Sequence, residues 1–485
     1  MRYILGIDQS TQGTKAILVD EAGQMIGRAD VPHRQIINEK GWVSHDPEEI
    51  YQNVKIAVRK VVGQTGISKA DICAMGISNQ RETTAIWTRD GQARNDAVVW
   101  QCSRAAAIAE RMQPYAELIR EHTGIPLSPF FPAEKMAWLL EHTESIRDIP
   151  KEEICLGTMD SWLIYQLTNG SAFKTDYSNA SRTQLFDLQA LGWNEEICGL
   201  FGIPLECLPE ICDSNSCFGW TDLDGYLEKR IPIHGVAGDS HAALFAQGCH
   251  KRGMIKTTYG TGSSIMMNTG DTCVKSENGL VTSLAWGIDG VVTYVLEGNI
   301  NYTGAVIAWL KDDLGLIRSP AESETAAMAA NPEDTTVLVP AFSGLSMPYW
   351  RTEAKASLSG MTRLTGRNEI IRAALESIAL QIEAVLEAMR KDSGFAIKEL
   401  RVDGGPTGNA YLMQLQSDLS DVAVSVSQTE ELSAMGAVLL AGLGCGLYSK
   451  EQLNDRKEKA SYKPKLEPQI RKAKLERWKN AVAQV

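Results

Sequence analysis

Two similar hairpin patterns, one at the N-terminus and one near the middle of the chain, constrain the fold more than any other feature of the sequence. In the first, apolar strands are predicted at residues 3–7 and 16–19, on either side of a turn rich in hydroxyls and glycine. In the second, strands at 255–259 and 265–268 flank a turn of glycine, threonine and serine. The two patterns lie too far apart for a solenoid repeat, so we expect two similarly built halves that meet around residues 246–252.

Helical patterns alternate with short apolar strands along the rest of the chain. Asp46, followed by Pro47 and Glu49, is typical of a helix start, and this helix is predicted to run to residue 61. Because strands and helices alternate, the sequence predicts an α/β protein built in layers. The other predicted segments are strands at 72–77, 234–237 and 399–402, helices at 159–167, 305–314, 367–391, 410–419 and 434–443, and a terminal surface helix after residue 450.

The composition excludes several classes of protein. Of the 485 residues, 44% are apolar, which is enough for the cores of two large domains or three smaller ones. The net charge is −12, so a nucleic-acid partner is not expected. No apolar run is long enough for a signal peptide or a membrane span, so we expect a soluble, cytoplasmic protein with no membrane partner.

Ten cysteines are scattered along the chain, and Cys207, Cys212 and Cys217 lie close together. A structural zinc site normally needs closely spaced paired ligands, with a second pair further along. The sequence offers no second pair, so we interpret the cysteines as thiols of a reducing compartment.

The turn at residues 8–15, D-Q-S-T-Q-G-T-K, has the groups that a phosphate site needs. Its backbone N–H groups and hydroxyls can bind phosphate oxygens, and Lys15 adds a positive charge. Asp8, at the end of the preceding strand, could hold Mg²⁺ through water molecules. An ordinary polar hairpin turn is the alternative, and the spacing is not that of a Walker A loop.

Two further glycine-containing turns have the same character. One is the turn of the second hairpin, at residues 260–264, and the other is Gly404-Gly405, which follows Asp403 and precedes a helix. Each glycine could simply serve a tight turn. All three turns, however, follow apolar strands, and open α/β sheets bind their ligands at the C-terminal ends of such strands.

Two polar clusters are candidates for catalysis and substrate binding. Asp239 follows a predicted strand and opens an alanine-rich helix, so it is either a helix cap or a general base that takes a proton from a hydroxyl attacking a phosphate. Arg81 and Glu82 lie at the end of another strand. They could grip vicinal hydroxyls, although a solvated surface ion pair is an equally good interpretation.

Taken together, these segments resemble the glycerol-kinase-like branch of the FGGY carbohydrate kinases. The resemblance extends from about residue 4 to about residue 445, and it rests on GIDQSTQGTKAILVD, GWVSHDPEEI, GISNQRETT, VVWQCSR, TGIPLSPFF, GTMDSWLIYQLTNG, TDYSNASRTQLFDL, GVAGDSHAALFAQGC, YGTGSSIMMNTG, VPAFSGLSMPYW and LRVDGGPTGNAYLMQLQSD, in family order. It implies two actin-like, ribonuclease-H-like domains, residues 1–248 and 249–485, with a central catalytic cleft. The first domain would bind the substrate and carry the first phosphate hairpin, and the second would bind the nucleotide.

The resemblance also implies ATP- and Mg²⁺-dependent phosphorylation of a hydroxyl of a small polyol or sugar. Asp239 would be the catalytic base, and Asp8 and Asp239 would position the metal. The residues that would bind the nucleotide are Thr11, Gln12, Lys15, Thr261, Gly304, Gly405 and Asn409. Those that would bind the substrate are Arg81, Glu82, Trp100, Phe130, Asp239, Ser240 and Ser264. Family members are often dimers or tetramers, so a homodimer or a tetramer is expected.

Four positions depart from the glycerol-kinase pattern. Ser240 and Ala308 each replace a usual glutamine, Phe130 replaces a tyrosine, and Ser264 replaces a phenylalanine. The two serines enlarge the pocket, and a serine can hydrogen-bond an additional hydroxyl. Because a site built to pair specific hydroxyls rejects analogues that leave its polar groups unpaired, we expect a polyol or sugar of about four to six carbons. Glycerol itself is the alternative.

Two other functions would share the phosphate turns. An actin-like or Hsp70-like ATPase would have no need of the cluster formed by Arg81, Glu82 and Trp100, and no segment of the sequence resembles a filament or peptide-binding surface. A degenerate kinase that only senses a sugar would be expected to lack the base, whereas Asp8 and Asp239 are both present. An active polyol or sugar kinase is therefore the hypothesis that the sequence favours.

Overall fold

The structure is a computed structural model that describes residues 1–454 and 457–485. The first large sheet consists, from edge to edge, of strands Cys217–Thr221, Ile231–Gly238, Ile72–Asn79, Tyr3–Gln9, Gly13–Asp20 and Met25–Pro32. The second, third and fourth of these strands run parallel, and the N-terminal hairpin extends the sheet with antiparallel strands. Asp8, Arg81 and Asp239 lie in or just after the C-terminal ends of the parallel strands, so the sheet brings them to one edge.

The second large sheet repeats this arrangement in the other half of the chain. Its strands, from edge to edge, are Val281–Ile288, Val291–Ile300, Ser263–Gly270, Ile255–Tyr259, Glu399–Asp403, Ala423–Ser427 and Glu458–Tyr462. The middle hairpin again pairs antiparallel, and its first strand runs parallel to Glu399–Asp403. The prediction of an α/β protein with two similarly built halves is therefore confirmed.

A smaller sheet belongs to the first half of the chain. Its strands are Ile36–Ile37, Val43–His45, Ala97–Val98, Thr84–Thr88 and Ile154–Thr158. Three two-stranded ladders complete the described strands, and they pair Lys174–Asp176 with Glu210–Cys212, Phe186–Asp187 with Gly192–Trp193, and Val337–Val339 with Ser357–Ser359.

Helices cover the sheets, and the apolar cores lie between the two layers. Ile50, Val54 and Val58 pack one helix against the first sheet, and Ile371 and Ile378 pack a long helix against the second. The α-helices are Pro47–Thr65, Ala106–Met112, Ala116–Thr123, Pro132–His142, Met159–Leu167, Tyr177–Ala180, Glu195–Phe201, Asp239–Ala246, Gly304–Ala308, Glu322–Met328, Arg367–Ser393, Ala410–Ser420, Leu432–Gly444 and Pro468–Ala483.

Most predicted elements agree with the structure to within a few residues, and two differ. Many elements were not predicted at all, among them the strands Met25–Pro32 and Val291–Ile300 and the helix Pro132–His142. The helix expected to run to residue 314 changes from α to π geometry at Trp309–Asp313. The tail after residue 450 is more than a surface helix. It adds the edge strand Glu458–Tyr462 to the second sheet, and its helix buries Trp478. The helix of this tail has a single buried face with widely spaced apolar residues, and this explains why its sequence pattern predicted an exposed surface helix.

The helix Leu432–Gly444 belongs to the second half of the chain but packs on the first sheet. Three adjacent strands present a glycine to it, and these are Gly6, Gly76 and Gly235. A Cβ atom on Gly76 would lie 2.3 Å from the carbonyl oxygen of Ala437. The two halves are therefore joined by a helix that sits directly on the backbone of the sheet.

Within the described ranges, no helix is long and apolar enough to cross a membrane.

Candidate active site

A cavity of about 530 Å³ opens between the two halves. The first half contributes Asp8, Lys15, Asp239 and Ser240 to its wall. The second half contributes polar and glycine residues from the second hairpin, from the Gly404-Gly405 turn and from the segment before the helix Leu432–Gly444. The cleft expected between two domains is thus present, and both predicted aspartates line it.

Asp239 is held where a strand becomes a helix. The N–H of Gly238 donates to Ser178 Oγ at 2.9 Å, and Asp239 is the first residue of the helix Asp239–Ala246. The cap position is occupied by Gly238, so the interpretation of Asp239 as a helix cap is wrong. A Cβ atom on Gly238 would lie 2.7 Å from Cγ of Arg81, so glycine is needed for the arginine to pass beneath the aspartate.

Arg81 is the centre of a buried ion network that reaches both halves. Its two terminal nitrogens donate to Glu297 at 2.7 and 2.9 Å, and its Nε lies 3.3 Å from Asp239 Oδ1. Arg182 donates to Glu297 at 3.0 Å and to Glu82 at 2.6 Å. Arg81 and Glu82 are both less than a tenth exposed, so the interpretation as a solvated surface pair is wrong.

The network also sets the charge of its members. Burial by itself would raise the pKa of Glu297, but Arg182 and Arg81 hold that pKa well below its ordinary value. Glu82 has a φ of 61°, which is unusual for a residue with a Cβ atom and is typical of strained backbone at functional sites. Neither Arg182 nor Glu297 was singled out from the sequence, because their role depends on contacts between distant segments.

Trp100 and Phe130 form an aromatic wall beside this network. Their rings meet edge to face with centroids 5.5 Å apart, and Trp100 Nε1 donates to Thr11 Oγ1 at 2.9 Å. The loop that carries Phe130 is fixed by Lys135, whose buried ammonium donates to the carbonyl oxygens of Pro129, Phe130 and Phe131. Burial lowers the pKa of Lys135 to about 8.

The two serines of the predicted substrate site differ in their surroundings. Ser240 lines the cavity, and its N–H donates to Asp239 Oδ1 at 2.6 Å. Ser264 pairs with Thr258 and Asn299 in the second sheet. Its Oγ is buried and has no hydrogen-bond partner within the described part of the chain.

The first phosphate turn places its two charged residues in the cavity. Asp8 accepts from Ser78 Oγ at 3.0 Å and lies 4.0 Å from Lys15 Nζ. Burial raises the pKa of Asp8 to about 7, with Asp239 raising it further and Lys15 opposing the change. Gln12 is exposed at the tip of the turn.

The predicted nucleotide residues of the second half are only partly brought together. Gly405 lines the cavity, whereas Thr261, Gly304 and Asn409 are not among its lining residues in the ranges that the structure describes. Gly304 donates its N–H to the carbonyl of Gly260 at 2.9 Å, which closes the second phosphate turn. Asn409 caps the helix Ala410–Ser420 through its Oδ1, and its amide donates to Ser323 at 3.2 Å.

The cavity also contains polar residues that the sequence did not single out. Lys256 is fully buried, and its Nζ donates to Thr258 Oγ1 at 3.0 Å. Thr258 in turn donates to Asp403 at 3.1 Å, and Gln247 donates to the same carboxylate at 3.0 Å. Burial lowers the pKa of Lys256. The strand sequence I-K-T-T-Y around this lysine gave no signal that its side chain lines the cleft.

The carboxylates fit a magnesium ion that is shared with a nucleotide. Mg²⁺ in kinases is usually held by one or two carboxylates, substrate phosphates and water, and Asp8 and Asp239 line the same cavity. The raised pKa of Asp8 shows a carboxyl group whose burial is incompletely compensated by the protein, which a cation would relieve. No cluster of three or more His, Cys, Asp or Glu residues that could hold a metal occurs in the described residues.

Two actin-like halves around a cleft with two aspartates define a class of phosphotransferase. The family models for the N-terminal and C-terminal domains of the FGGY family of carbohydrate kinases match residues 3–246 and 255–445. The chain belongs to this family, and it is an ATP-dependent kinase that phosphorylates an alcohol group of a small sugar or polyol.

Several similar proteins are more specifically named. Glycerol kinase 1 of Thermotoga maritima is 46% identical over 488 residues, which is 99% of each chain. Glycerol kinase of Alkaliphilus oremlandii is 44% identical over 489 residues, covering 99% of this chain and 97% of that one. The crystal structure of Plasmodium falciparum glycerol kinase with ADP has a TM-score of 0.93 at 34% identity, covering 100% of this chain and 98% of the other. Xylulose kinase from Lactobacillus acidophilus shares the fold. Its TM-score is 0.90 at 20% identity, covering 100% of this chain and 99% of the other.

Proposed function

We propose that the chain transfers the γ-phosphoryl group of ATP to a hydroxyl of glycerol. Relatives that cover nearly the whole chain at 46% and 44% identity are named glycerol kinase. Those names favour glycerol over the larger polyol that Ser240 and Ser264 led us to expect. The observation that carries the proposal is the cavity in which Asp8, Lys15 and Asp239 meet beside the buried Arg81.

Asp239 is the proposed general base. Its carboxylate is about a third exposed, so a substrate hydroxyl can reach it, and Arg81 and the Ser240 N–H fix its orientation. Phosphoryl transfer depends mainly on positioning and charge neutralisation, with a carboxylate to accept the hydroxyl proton. A rigidly held aspartate at the first residue of a helix suits that task.

The proposed acceptor site lies on the ion network and the aromatic wall. Arg81 has five N–H groups, of which three face Glu297 and Asp239, so others remain for substrate hydroxyls. The Glu82 carboxylate would accept hydrogen bonds from substrate hydroxyls, and Trp100 and Phe130, whose rings are in contact, would cover the carbon chain of the polyol. Ser240 and Ser264 would complete this site.

The nucleotide phosphates would lie against the first turn. Lys15 would contact phosphate oxygens, and Asp8 with Asp239 would hold Mg²⁺, whose charge neutralises those oxygens when it is bound. Gly405 would border the nucleotide from the second half. The roles of Thr11, Gln12, Thr261, Gly304 and Asn409 remain predictions from the resemblance.

A coupled assay of ADP release with Mg·ATP tests the proposal. Glycerol, erythritol, threitol, the pentitols, the ketopentoses and the hexitols are compared, with Asp239→Asn as the matched control. We expect glycerol to give the highest kcat/KM, and we expect Asp239→Asn to bind ADP but to lose turnover by about three or more orders of magnitude. Near-normal turnover in the variant would contradict the assignment of the base, and polyol-independent ADP release would favour the actin-like ATPase.

A longer polyol is the second candidate, and one observation favours it. The buried Ser264 Oγ has no partner in the described part of the chain, although buried polar groups are normally hydrogen-bonded. A further hydroxyl of a four-carbon or longer substrate would satisfy it. Highest kcat/KM on such a substrate in the same panel would select this candidate.

We also propose a boundary between the two domains at residues 248 and 249. The last strand of the first sheet ends at Gly238 and the first strand of the second sheet begins at Ile255, which supports this position. A homodimer or a tetramer is the expected assembly, and light scattering coupled to size-exclusion chromatography tests it.

A further inference from the structure

Glu431 comes from the second half of the chain, but its carboxylate binds two cations of the first half. Its Oε2 accepts from Lys15 Nζ at 2.7 Å, and its Oε1 lies 2.5 Å from Arg28 Nη1. The Glu431 side chain is only 10% exposed, whereas those of Lys15 and Arg28 are 29% and 37% exposed, so water screens these pairs only in part. The contact between Glu431 and Lys15 is thus an ion pair across the cleft, in the wall of the cavity.

The backbone of Glu431 adopts an unfavourable conformation. Its φ of 53° and ψ of 43° lie in the left-handed region, which residues with a Cβ atom rarely occupy. The residue precedes the helix Leu432–Gly444, yet its side chain makes no capping hydrogen bond to that helix. Strained backbone of this kind persists where other interactions determine it, and here the two ion pairs are those interactions.

Glu431 can influence the binding of a nucleotide through Lys15. The Lys15 ammonium lies between two carboxylates, 4.0 Å from Asp8 and 2.7 Å from Glu431. A phosphate oxygen that binds this ammonium has to share or replace the Glu431 carboxylate. Glu431 would not be left uncompensated by the exchange, because Arg28 still pairs with it.

We propose that Glu431 is a positioning residue of the nucleotide site, whose carboxylate competes with the phosphate oxygens of the nucleotide for the Lys15 ammonium. The inference rests on the proposed function, since it takes Lys15 as a phosphate-binding residue. The ion pair between Glu431 and Lys15 would then have two effects. It keeps Lys15 directed into the cavity, and it weakens the binding of any phosphate that pairs with the Lys15 ammonium.

Calorimetric titration of the full chain with ADP and with adenosine tests this inference. In Glu431→Gln the competitor is removed, so ADP should bind about fivefold more tightly, while adenosine, which has no phosphate, should bind as before. In the Lys15→Met background the same substitution should have no further effect on ADP. Asp30→Asn is the matched control, because it removes a carboxylate from Arg28 and leaves the pair with Lys15 in place.

Three results would overturn the inference: unchanged or weaker binding of ADP to Glu431→Gln, an equal gain for adenosine, or an equal gain in the Lys15→Met background. The last two would show a general electrostatic effect or a change of fold. The titrations require no phosphoryl transfer. A chain that binds ADP but does not phosphorylate a polyol would therefore contradict the proposed function and leave this test intact.

Discussion

Arg81 Nε lies 3.3 Å from Asp239 Oδ1, while the two terminal nitrogens of the same guanidinium hold Glu297. One planar side chain therefore connects the proposed base, on the first sheet, to a buried carboxylate on the second. Because guanidinium geometry is rigid, a displacement of Glu297 has to move the nitrogen that faces Asp239. The position of the base thus depends on how the two halves meet.

Replacing Glu297 by glutamine should destabilise the protein and weaken acceptor binding. The substitution removes the buried negative charge that pairs with Arg81 and Arg182, which should lower the free energy of unfolding by about 3 kcal/mol. Urea unfolding should show this loss, and the KM for the polyol should rise. Glu141→Gln, which breaks the exposed pair with Arg111, is the control and should change the midpoint far less. Equal effects of the two variants would contradict the role of the network.

Lys135→Met should loosen the loop that carries Phe130. The buried ammonium donates to three carbonyl groups of this loop, and a methionine of similar length cannot. We expect the KM for the polyol to rise about tenfold, with a smaller change in the KM for ATP, since Phe130 faces the acceptor side. Steady-state kinetics with each substrate varied measures the split. A larger effect on ATP would show that the loop serves the nucleotide instead.

Ser264→Phe should shift the substrate preference towards glycerol. Under the proposal that Ser264 contacts the acceptor, a phenylalanine would take the space of a longer polyol and would remove the buried hydroxyl. The ratio of kcat/KM for glycerol to that for erythritol should rise in the variant. If the ratio stays constant or falls, Ser264 does not determine chain length.

Glu134 makes stability depend on pH. Burial raises its pKa from 4.5 to about 8, so over that window the folded state holds a proton that the unfolded chain has lost. Stability therefore falls as the pH rises from 4.5 to about 8. The glutamine in Glu134→Gln does not titrate. The melting temperature of this variant should therefore fall less between those pH values than the melting temperature of the wild type. Glu110→Gln, on an exposed helix position, should keep the wild-type slope.

Gly76→Ala should destabilise the protein, although alanine loses less conformational entropy than glycine on folding. Its Cβ atom would lie 2.3 Å from the Ala437 carbonyl oxygen and push the helix Leu432–Gly444 off the first sheet. Gly63→Ala is the matched control, since nothing lies within 4 Å of its Cβ position inside the helix Pro47–Thr65. Gly63→Ala should stabilise by up to about 1 kcal/mol. A stable Gly76→Ala would contradict close packing of the helix.

The sequence alone determined the two-hairpin architecture, the approximate bounds of the elements that it predicted, and the family. Strands and helices follow from hydrophobic periodicity and caps, which are local, so Met159–Leu167 and Ile255–Tyr259 agree with their predicted bounds. Asp8, Lys15 and Asp239 could also be selected. Asp8 and Asp239 lie at or just after the ends of apolar strands, where α/β sheets bind ligands, and Lys15 lies in the turn predicted after the first of these strands.

The tertiary structure alone decided which charged groups meet. Arg182, Glu297 and Glu431 reach the site from segments a hundred or more residues away from their partners, and no local pattern encodes such pairs. The same holds for the glycines beneath the helix Leu432–Gly444, whose need for a missing side chain appears only when two backbones approach. Local chemistry fixes the elements, whereas burial and charge pairing depend on distances that exist only after the halves have packed together.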